Sequence, residues 1–344
     1  MKQEQIKDIL TIENLKVQFD TEDGCIKAVD GINLSLKKGK TLGLVGESGC
    51  GKSLTSKTII GIQPKNSETF GKINYYGYDD QEPLDLLSLA KNGSEIRKVR
   101  GGHISMIFQE PMTAFSPLYT IGNQIVENVL LHRTKDKKEA KKIAINMMEK
   151  VGIANPEKRY NQYPMEFSGG MRQRAMIAMA LSCNPDILIA DEPTTALDVT
   201  IQAQVLQMMK ALQEDLGMAI LFITHDLGVV AEMCDEVAVM YLGKIVETGD
   251  AMSIFHHPKH PYTKGLLRSI PKLGDRSHHV LESIEGTVPI PIDLPNRCGF
   301  YERCEHKIDG VCDCKPVELY EVNAHQAVRC FLYDQEVIKE DKNV

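Results

Sequence analysis

Eight residues of this 344-residue chain, Gly46-Glu47-Ser48-Gly49-Cys50-Gly51-Lys52-Ser53, have the types and spacing of a loop that holds a phosphate chain. Gly46, Gly49 and Gly51 permit backbone angles that a Cβ forbids, so successive N–H groups can turn toward one anion. Lys52 offers a mobile cation to the β- and γ-phosphates, and the Ser53 hydroxyl can ligate Mg²⁺. The pattern has meaning only between a strand and a helix. Thr41-Leu42-Gly43-Leu44-Val45 is an apolar run of buried-strand type. Leu54 to Ile60 can wind as a helix whose positive end strengthens the anion site. An ordinary glycine turn with a stray Lys-Ser is the bland alternative, and the flanking elements count against it. The chain is expected to bind a nucleoside triphosphate.

A second chemical centre lies at 191–192. Ile187-Leu188-Ile189-Ala190 is a buried parallel-strand run leading into Asp191-Glu192-Pro193. Carboxylates at a strand's C-terminal end stand on the edge where open α/β sheets place ligands. Asp191 can hold Mg²⁺ directly or through water, and Glu192 can orient and deprotonate an attacking water; a charged strand-end turn is the plain reading. Ser168-Gly169-Gly170 opens a helix-forming segment and is a second anion site by the logic of the first. Gln109 follows the strand candidate Ile104–Phe108, and His225 follows Ala219–Thr224. There a glutamine can reach a metal-bound water and a histidine can contact the γ-phosphate; a solvated glutamine and a structural histidine are the ordinary readings. Phe19 alternates with Leu15 and Val17, either as one more core aromatic or as a platform for an adenine ring.

The elements that must position these groups alternate in type. Residues 10–45 read as β structure, with turns at Asp23-Gly24 and Lys38-Gly39, and Ile73–Tyr76 adds a strand. From Pro111 to Asn161 the pattern becomes helical: Ala140, Ala144, Met147, Met148 and Val151 recur at helix spacing, with Gly152 as a stop. Thr194 to Asp198 makes a turn, and a helix carries Ile201, Val205, Met208, Met209, Leu212 and Leu216 on one face before Gly217. Val237–Met240 and Ile245–Glu247 form a hairpin. Prolines and histidines accumulate beyond about Met252, which places a domain boundary there and leaves His256, His257 and His260 as surface residues. The fold class is α/β, with a mixed sheet core, an antiparallel β subdomain and an α-helical insertion. The expected division is 8–255, with the insertion at about 110–165, and a small extension over 256–344.

Bulk properties narrow the setting. With 42% hydrophobic and 25% charged residues the chain is ordinary for a soluble globular protein. No stretch reaches the length of a membrane span, and Met1 to Asp8 lacks the apolar centre of a signal peptide. A cytosolic chain, carried to a membrane only by a partner, is expected. The net charge of −7 counts against a broad nucleic-acid surface. Nine cysteines in a cytosolic chain make structural disulfides a poor expectation. Cys25, Cys50, Cys183 and Cys234 are scattered, as small buried hydrophobes are. Cys298, Cys304, Cys312, Cys314 and Cys330 crowd into the tail. Zinc would more usually show paired C-x2-C knuckles, whereas longer irregular spacings suit an iron–sulfur cluster; zinc or unligated thiols stay open at this point.

The order of parts resembles the ATP-binding subunit of an ABC transporter across roughly residues 10–255. The resemblance implies that Gly46–Ser53, with Leu54 beside it, is Walker A, Gln109 the Q-loop and Ser168-Gly169-Gly170-Met171-Arg172 the signature. It makes Asp191 and Glu192 the Walker B pair, Ala196-Leu197-Asp198 the D-loop and His225 the switch histidine, and it turns Phe19 into the adenine-stacking aromatic. Phe167 stands where leucine is commoner and Met171 where many members have glutamine. Pro117-Leu118-Tyr119-Thr120-Ile121-Gly122, Thr224 to Glu232, His260-Pro261-Tyr262-Thr263-Lys264 and the cysteine-bearing tail look like the oligopeptide/dipeptide importer branch of P-loop ABC ATPases. That branch implies an ATPase at the cytoplasmic face of the membrane, using ATP and Mg²⁺. It would pair with a second, similar ATPase chain beneath two permeases, fed by an extracellular peptide-binding protein, with no nucleic acid. It also points to a [4Fe-4S] cluster on Cys298, Cys304, Cys312 and Cys330, with Cys314 spare. The same machine carrying nickel chelates or oligosaccharides, or a soluble ABC ATPase outside transport, are the alternatives.

Overall fold

The computed structural model describes residues 7–78, 82–110, 114–195, 197–269, 284–335 and 337. Pro111 of the expected insertion and Ala196 of the Ala-Leu-Asp turn lie outside the described residues. In chain order come β1 (Asp8–Thr21), β2 (Gly24–Lys37), β3 (Thr41–Val45), α1 (Lys52–Ile59), β4 (Glu68–Tyr75), β5 (Leu84–Asp85) and β6 (Ile104–Ile107). Next are α2 (Ile121–His132), α3 (Lys137–Lys150), α4 (Gly169–Leu181), β7 (Ile187–Asp191), α5 (Val199–Leu216), β8 (Ala219–Thr224), β9 (Glu236–Tyr241) and β10 (Lys244–Asp250). The extension adds α6 (Pro261–Arg268), β11 (Tyr320–Asn323) and β12 (Gln326–Val328).

Two sheets carry the chain. One is antiparallel, in the order β2-β1-β4-β5; the other has eight strands in the order β11-β12-β10-β9-β3-β8-β7-β6. Within the large sheet β9, β3, β8, β7 and β6 run parallel. Because both faces of these strands are covered, they read as unbroken apolar runs, and every residue of β3, β7 and β8 is buried. Alternation divides their side chains between two cores. Leu42, Leu44, Ile187, Ile189 and Leu221 pack with Leu10, Ile12, Leu15, Val17 and Ile73 of the small sheet. Leu188, Ala190, Ile220, Phe222 and Val239 face the helices, where they join Met176 and Ile177 of α4 and Ile125, Met147 and Met148 of the helical insertion.

Short polar side chains start the helices. Thr120, Asp136, Ser168 and Asp198 each accept a backbone N–H from the first turn of α2, α3, α4 and α5 respectively. Gly217 closes α5 at φ 65°, a left-handed cap that glycine adopts without strain.

The extension is joined to the large sheet itself. β12 pairs antiparallel with β10, Glu247 opposite Val328. Glu247 is fully buried, and its carboxylate accepts from the backbone N–H groups of Lys259 (2.7 Å) and His260 (2.9 Å) and from Gln326 Nε2 (2.8 Å). His260, expected at the surface, is 1% exposed. Its Nδ1 accepts from Tyr262 N–H at the start of α6, and burial pushes its pKa down to about 3. A side chain spent on a buried helix cap gives no pattern in the sequence, which is why composition alone misplaces it.

Glu247→Ala strands the buried His260 N–H and takes an acceptor from the half-buried Lys259 N–H and from Gln326 Nε2, which keeps the His257 carbonyl; a stranded buried donor costs about 1–3 kcal/mol. A loss of about 2 kcal/mol or more of unfolding free energy, measured in urea, is the expected outcome.

Candidate functional site

Parallel pairing brings the chemistry-bearing residues to one edge. Val45 pairs with Thr224, Asp191 with Ile223 and Ala190 with Ile107, so the segments leaving β3, β8, β7 and β6 emerge together. These segments carry the phosphate loop, His225, the acid pair and Gln109.

The loop depends on having no Cβ at two positions. At Gly46, φ 152°, an added Cβ would lie 2.2 Å from the Met240 carbonyl oxygen. At Gly51, φ 108°, it would lie 2.4 Å from the Ala28 carbonyl oxygen. Gly51 is also the N-cap of α1, so the helix's first N–H groups face the loop. Lys52 is 6% exposed; its Nζ donates to the carbonyls of Gly46 (2.7 Å) and Glu47 (2.9 Å), with Cys50 Sγ at 3.7 Å. The ammonium thus rests on its own loop, at the place a phosphate would compete for it. Ser48 and Gly49 are exposed at the loop's tip, while Cys50 is buried beneath it. Leu54, half-buried, packs α1 on the core shared with the small sheet.

Ser53 Oγ donates to Asp191 Oδ1 at 3.0 Å, so the two expected Mg²⁺ ligands from β3–α1 and β7 meet. Burial raises the Asp191 pKa, the Ser53 hydrogen bond partly offsets this, and the Glu192 charge beside it adds to the rise. A hydroxyl touching a buried carboxylate beside a second carboxylate is a donor set that suits a hard cation, whose charge would relieve that crowding.

Glu192 is the hub. Gln109 Nε2 donates to it at 3.0 Å, Thr195 Oγ1 at 3.1 Å, and His225 Nδ1 stands 3.1 Å away. Burial works to raise its pKa, but the hydrogen bonds from His225 and Thr195 outweigh burial and hold it below the usual range. Two adjacent carboxylates therefore have their pKa values pushed apart, as acid–base sites arrange them. The Glu192 backbone is left-handed, φ 49°, tied by its N–H to the Ile223 carbonyl at 2.8 Å. A non-glycine residue held there is strained, a condition concentrated at functional sites. Gln109, expected to reach a metal-bound water, donates here to this carboxylate.

Ser168, Gly169 and Gly170 open into a separate cavity of about 360 Å³, shared with Leu197 and Asp198. Phe19 is half-buried on β1 opposite Ile26, with its ring against the core of the small sheet. Three partners escaped the sequence reading. Thr195 binds Glu192. Gln173 of α4, 1% exposed, donates to the Pro193 carbonyl and so ties the Ser-Gly-Gly helix to the acid-pair turn. The Tyr262 hydroxyl accepts the Glu47 N–H at 2.8 Å. Only Tyr262 had a signal, in the His-Pro-Tyr motif.

In the tail, Cys298, Cys304, Cys312 and Cys330 line one small pocket walled by Phe300 and Phe331, whereas Cys314 is exposed. Burial pushes the Cys298 thiol up to about 11 and Cys330 up to about 12, and neighbouring thiols add to both. Among the described residues no group of three or more His, Cys, Asp or Glu is disposed to hold a metal ion. Nor, among those residues, is any helix long and apolar enough to cross a membrane.

The fold and the phosphate-loop edge define a P-loop ATPase. Residues 29–195 match the ABC transporter family and residues 246–312 the oligopeptide/dipeptide transporter C-terminal region. The chain is 48% identical over 333 residues to the dipeptide transport ATP-binding protein DppD of Bacillus subtilis, covering 96% of each. It is 48% identical over 328 residues to the oligopeptide transport ATP-binding protein AppD of the same organism, covering 95% of this chain and 98% of that one. Among solved structures it is similar to the ATP-binding cassette MJ0796, a dimer in a post-hydrolysis state with ADP and phosphate. The identity there is 25% and the TM-score 0.61, over 70% of this chain and 98% of that one. The chain belongs to the ATP-binding subunits of ABC transporters, in the oligopeptide/dipeptide branch.

Glu192→Gln is expected to keep ATP binding and to cut hydrolysis by on the order of 10²-fold or more. Near-normal turnover would remove Glu192 from the role of base. Because hydrogen bonding holds the Glu192 pKa down, activity that needs its carboxylate is lost only as pH falls through that depressed value. Thr195→Ala removes one of the bonds, so the acid limb of the pH–rate profile should move to higher pH.

Proposed function

We propose that this chain is the ATPase of a membrane importer for dipeptides or oligopeptides, acting at the cytoplasmic face. It would pair with a second, similar ATPase beneath two permeases that an extracellular peptide-binding protein supplies. The observation that carries the reading is a Walker-type edge and a peptide-transporter C-terminal region in one chain, alongside 48% identity to DppD along its length.

The residues divide the work as follows. The backbone of residues 46–51, the start of α1 and Lys52 bind the triphosphate, and Phe19 stacks on the adenine. Ser53 and Asp191 hold Mg²⁺, with Gln109 near it. Glu192 takes the proton of the attacking water, and His225 orients Glu192 and meets the γ-phosphate. Ser168, Gly169 and Gly170 line a cavity with Leu197 and Asp198 that no phosphate-loop residue lines, which supports their serving the triphosphate of the opposite protomer. Two positive helix ends then clamp one ATP, and cleavage releases the clamp. The helical insertion passes that motion to the permeases. The working division is residues 8–255 for the cassette and 256–344 for the extension.

Cys298, Cys304, Cys312 and Cys330 form the set proposed to hold a [4Fe-4S] cluster. Four thiols line one largely apolar pocket with the fifth outside it; as they stand they form no metal-holding group, so a cluster would need them to close around it as thiolates, and would then staple the extension. Neither ATP binding nor hydrolysis requires it to react.

The test is uptake. Cells lacking this chain should fail to accumulate a radiolabelled dipeptide, and the wild-type chain should restore uptake while the Lys52→Met variant should not. Undiminished uptake in the deletion strain would overturn the proposed cargo.

A further inference from the structure

Glu47, second in the phosphate loop, is gripped from outside the cassette. The Arg303 guanidinium donates to both oxygens of its carboxylate, at 2.8 and 3.1 Å, the paired geometry that suits a planar fork. The Arg303 side chain is 5% exposed and that of Glu47 29%. Arg303 also donates to the carbonyls of Glu285 (2.9 Å) and Gly286 (3.3 Å), and its charge lies 5.8 Å from the centre of the Tyr241 ring. Tyr241, Tyr262 and Phe300 pack on one another with centroids 4.7 to 5.5 Å apart. Tyr262 takes the Glu47 N–H. Both the backbone and the side chain of Glu47 are therefore anchored on the extension, by Tyr262 of α6 and by Arg303, next in the chain to Cys304.

The pairing matters because of where the carboxylate stands. Every other device in this loop favours a polyanion, and an uncompensated carboxylate beside it would repel one. A guanidinium withdrawn from water cancels that charge more fully than a solvated one would. It also fixes the loop's outer bend before nucleotide arrives, so less ordering remains for binding to supply.

We propose that Arg303 is a positioning residue for the nucleotide site: the extension, through the Arg303–Glu47 pair, neutralises and holds the phosphate loop in the form that binds ATP. This rests on the loop binding ATP, as proposed above, and gives the extension a part in nucleotide affinity. The pair is a mechanical link between the cysteine-lined pocket and the loop, and works without any change in the thiols.

The experiment is a double-mutant cycle on the full chain, read by calorimetric titration of ATP–Mg²⁺ and by steady-state hydrolysis. Arg303→Met should weaken ATP binding and raise the KM for ATP about tenfold while leaving kcat within about twofold, and Arg303→Lys should recover part of the loss. On top of Glu47→Gln, where no carboxylate is left to cancel, Arg303→Met should cost less than about threefold. Coupling is reciprocal, so saturating ATP should also slow amide hydrogen exchange across residues 300–304 of the wild-type chain. That measurement keeps the test decisive if Arg303→Met does not fold. A wild-type chain that binds no ATP overturns the nucleotide reading, and this proposal falls with it. A wild-type chain that binds ATP overturns the link alone if Arg303→Met costs the same in both backgrounds, or if residues 300–304 exchange no more slowly.

Discussion

Parallel registration of β3, β8, β7 and β6 is the constraint on which the site depends. The segments leaving these strands must end at one level for the Ser53 hydroxyl to touch the Asp191 carboxylate, 138 residues further along the chain, at 3.0 Å. A one-residue slip would turn Asp191 to the opposite face and exchange the two cores. The unbroken burial of these strands specifies the register, because any slip moves apolar side chains out of matched neighbours on both faces.

At that edge the electrostatics are divided by function. The phosphate loop gathers N–H groups, a helix start and Lys52, all favouring an anion. The acid pair opposite favours a cation at Asp191 and a free base at Glu192, and it separates them by environment: burial for the first, hydrogen bonds from His225 and Thr195 for the second. The left-handed backbone at Glu192 shows what this arrangement costs locally, and the bond to Ile223 holds it. Gln109 and His225 converge on the same carboxylate from two other strands, so a change in either segment reaches the residue proposed to activate water.

The extension shares this architecture. β12 continues the large sheet, Glu247 ties β10 to the turn before α6, and Tyr262 with Arg303 grips Glu47. Among the polar contacts that join it to the cassette, those of Glu247 and Arg303 are centred on a buried carboxylate and a buried guanidinium. Such contacts demand a defined geometry, because each leaves an unsatisfied buried group when broken.

Much of this was legible from the chain alone. Loop glycines, apolar runs, the helix-opening Ser168 and the helix stop at Gly217 each act through local backbone chemistry, which neighbours in sequence largely decide. The identities of Lys52, Ser53, Asp191, Glu192, Gln109 and His225 could likewise be read, because a strand's end is marked by the residues that follow it. Their partnerships could not. The grip of Arg303 on Glu47 spans 256 residues and that of Tyr262 spans 215; the burial of His260 and the turn of Gln109 toward Glu192 leave no periodic trace either. Local propensity sets which segments become strands, loops and helices. Which distant polar groups meet is set by sheet order and packing, and only the folded chain carries that information.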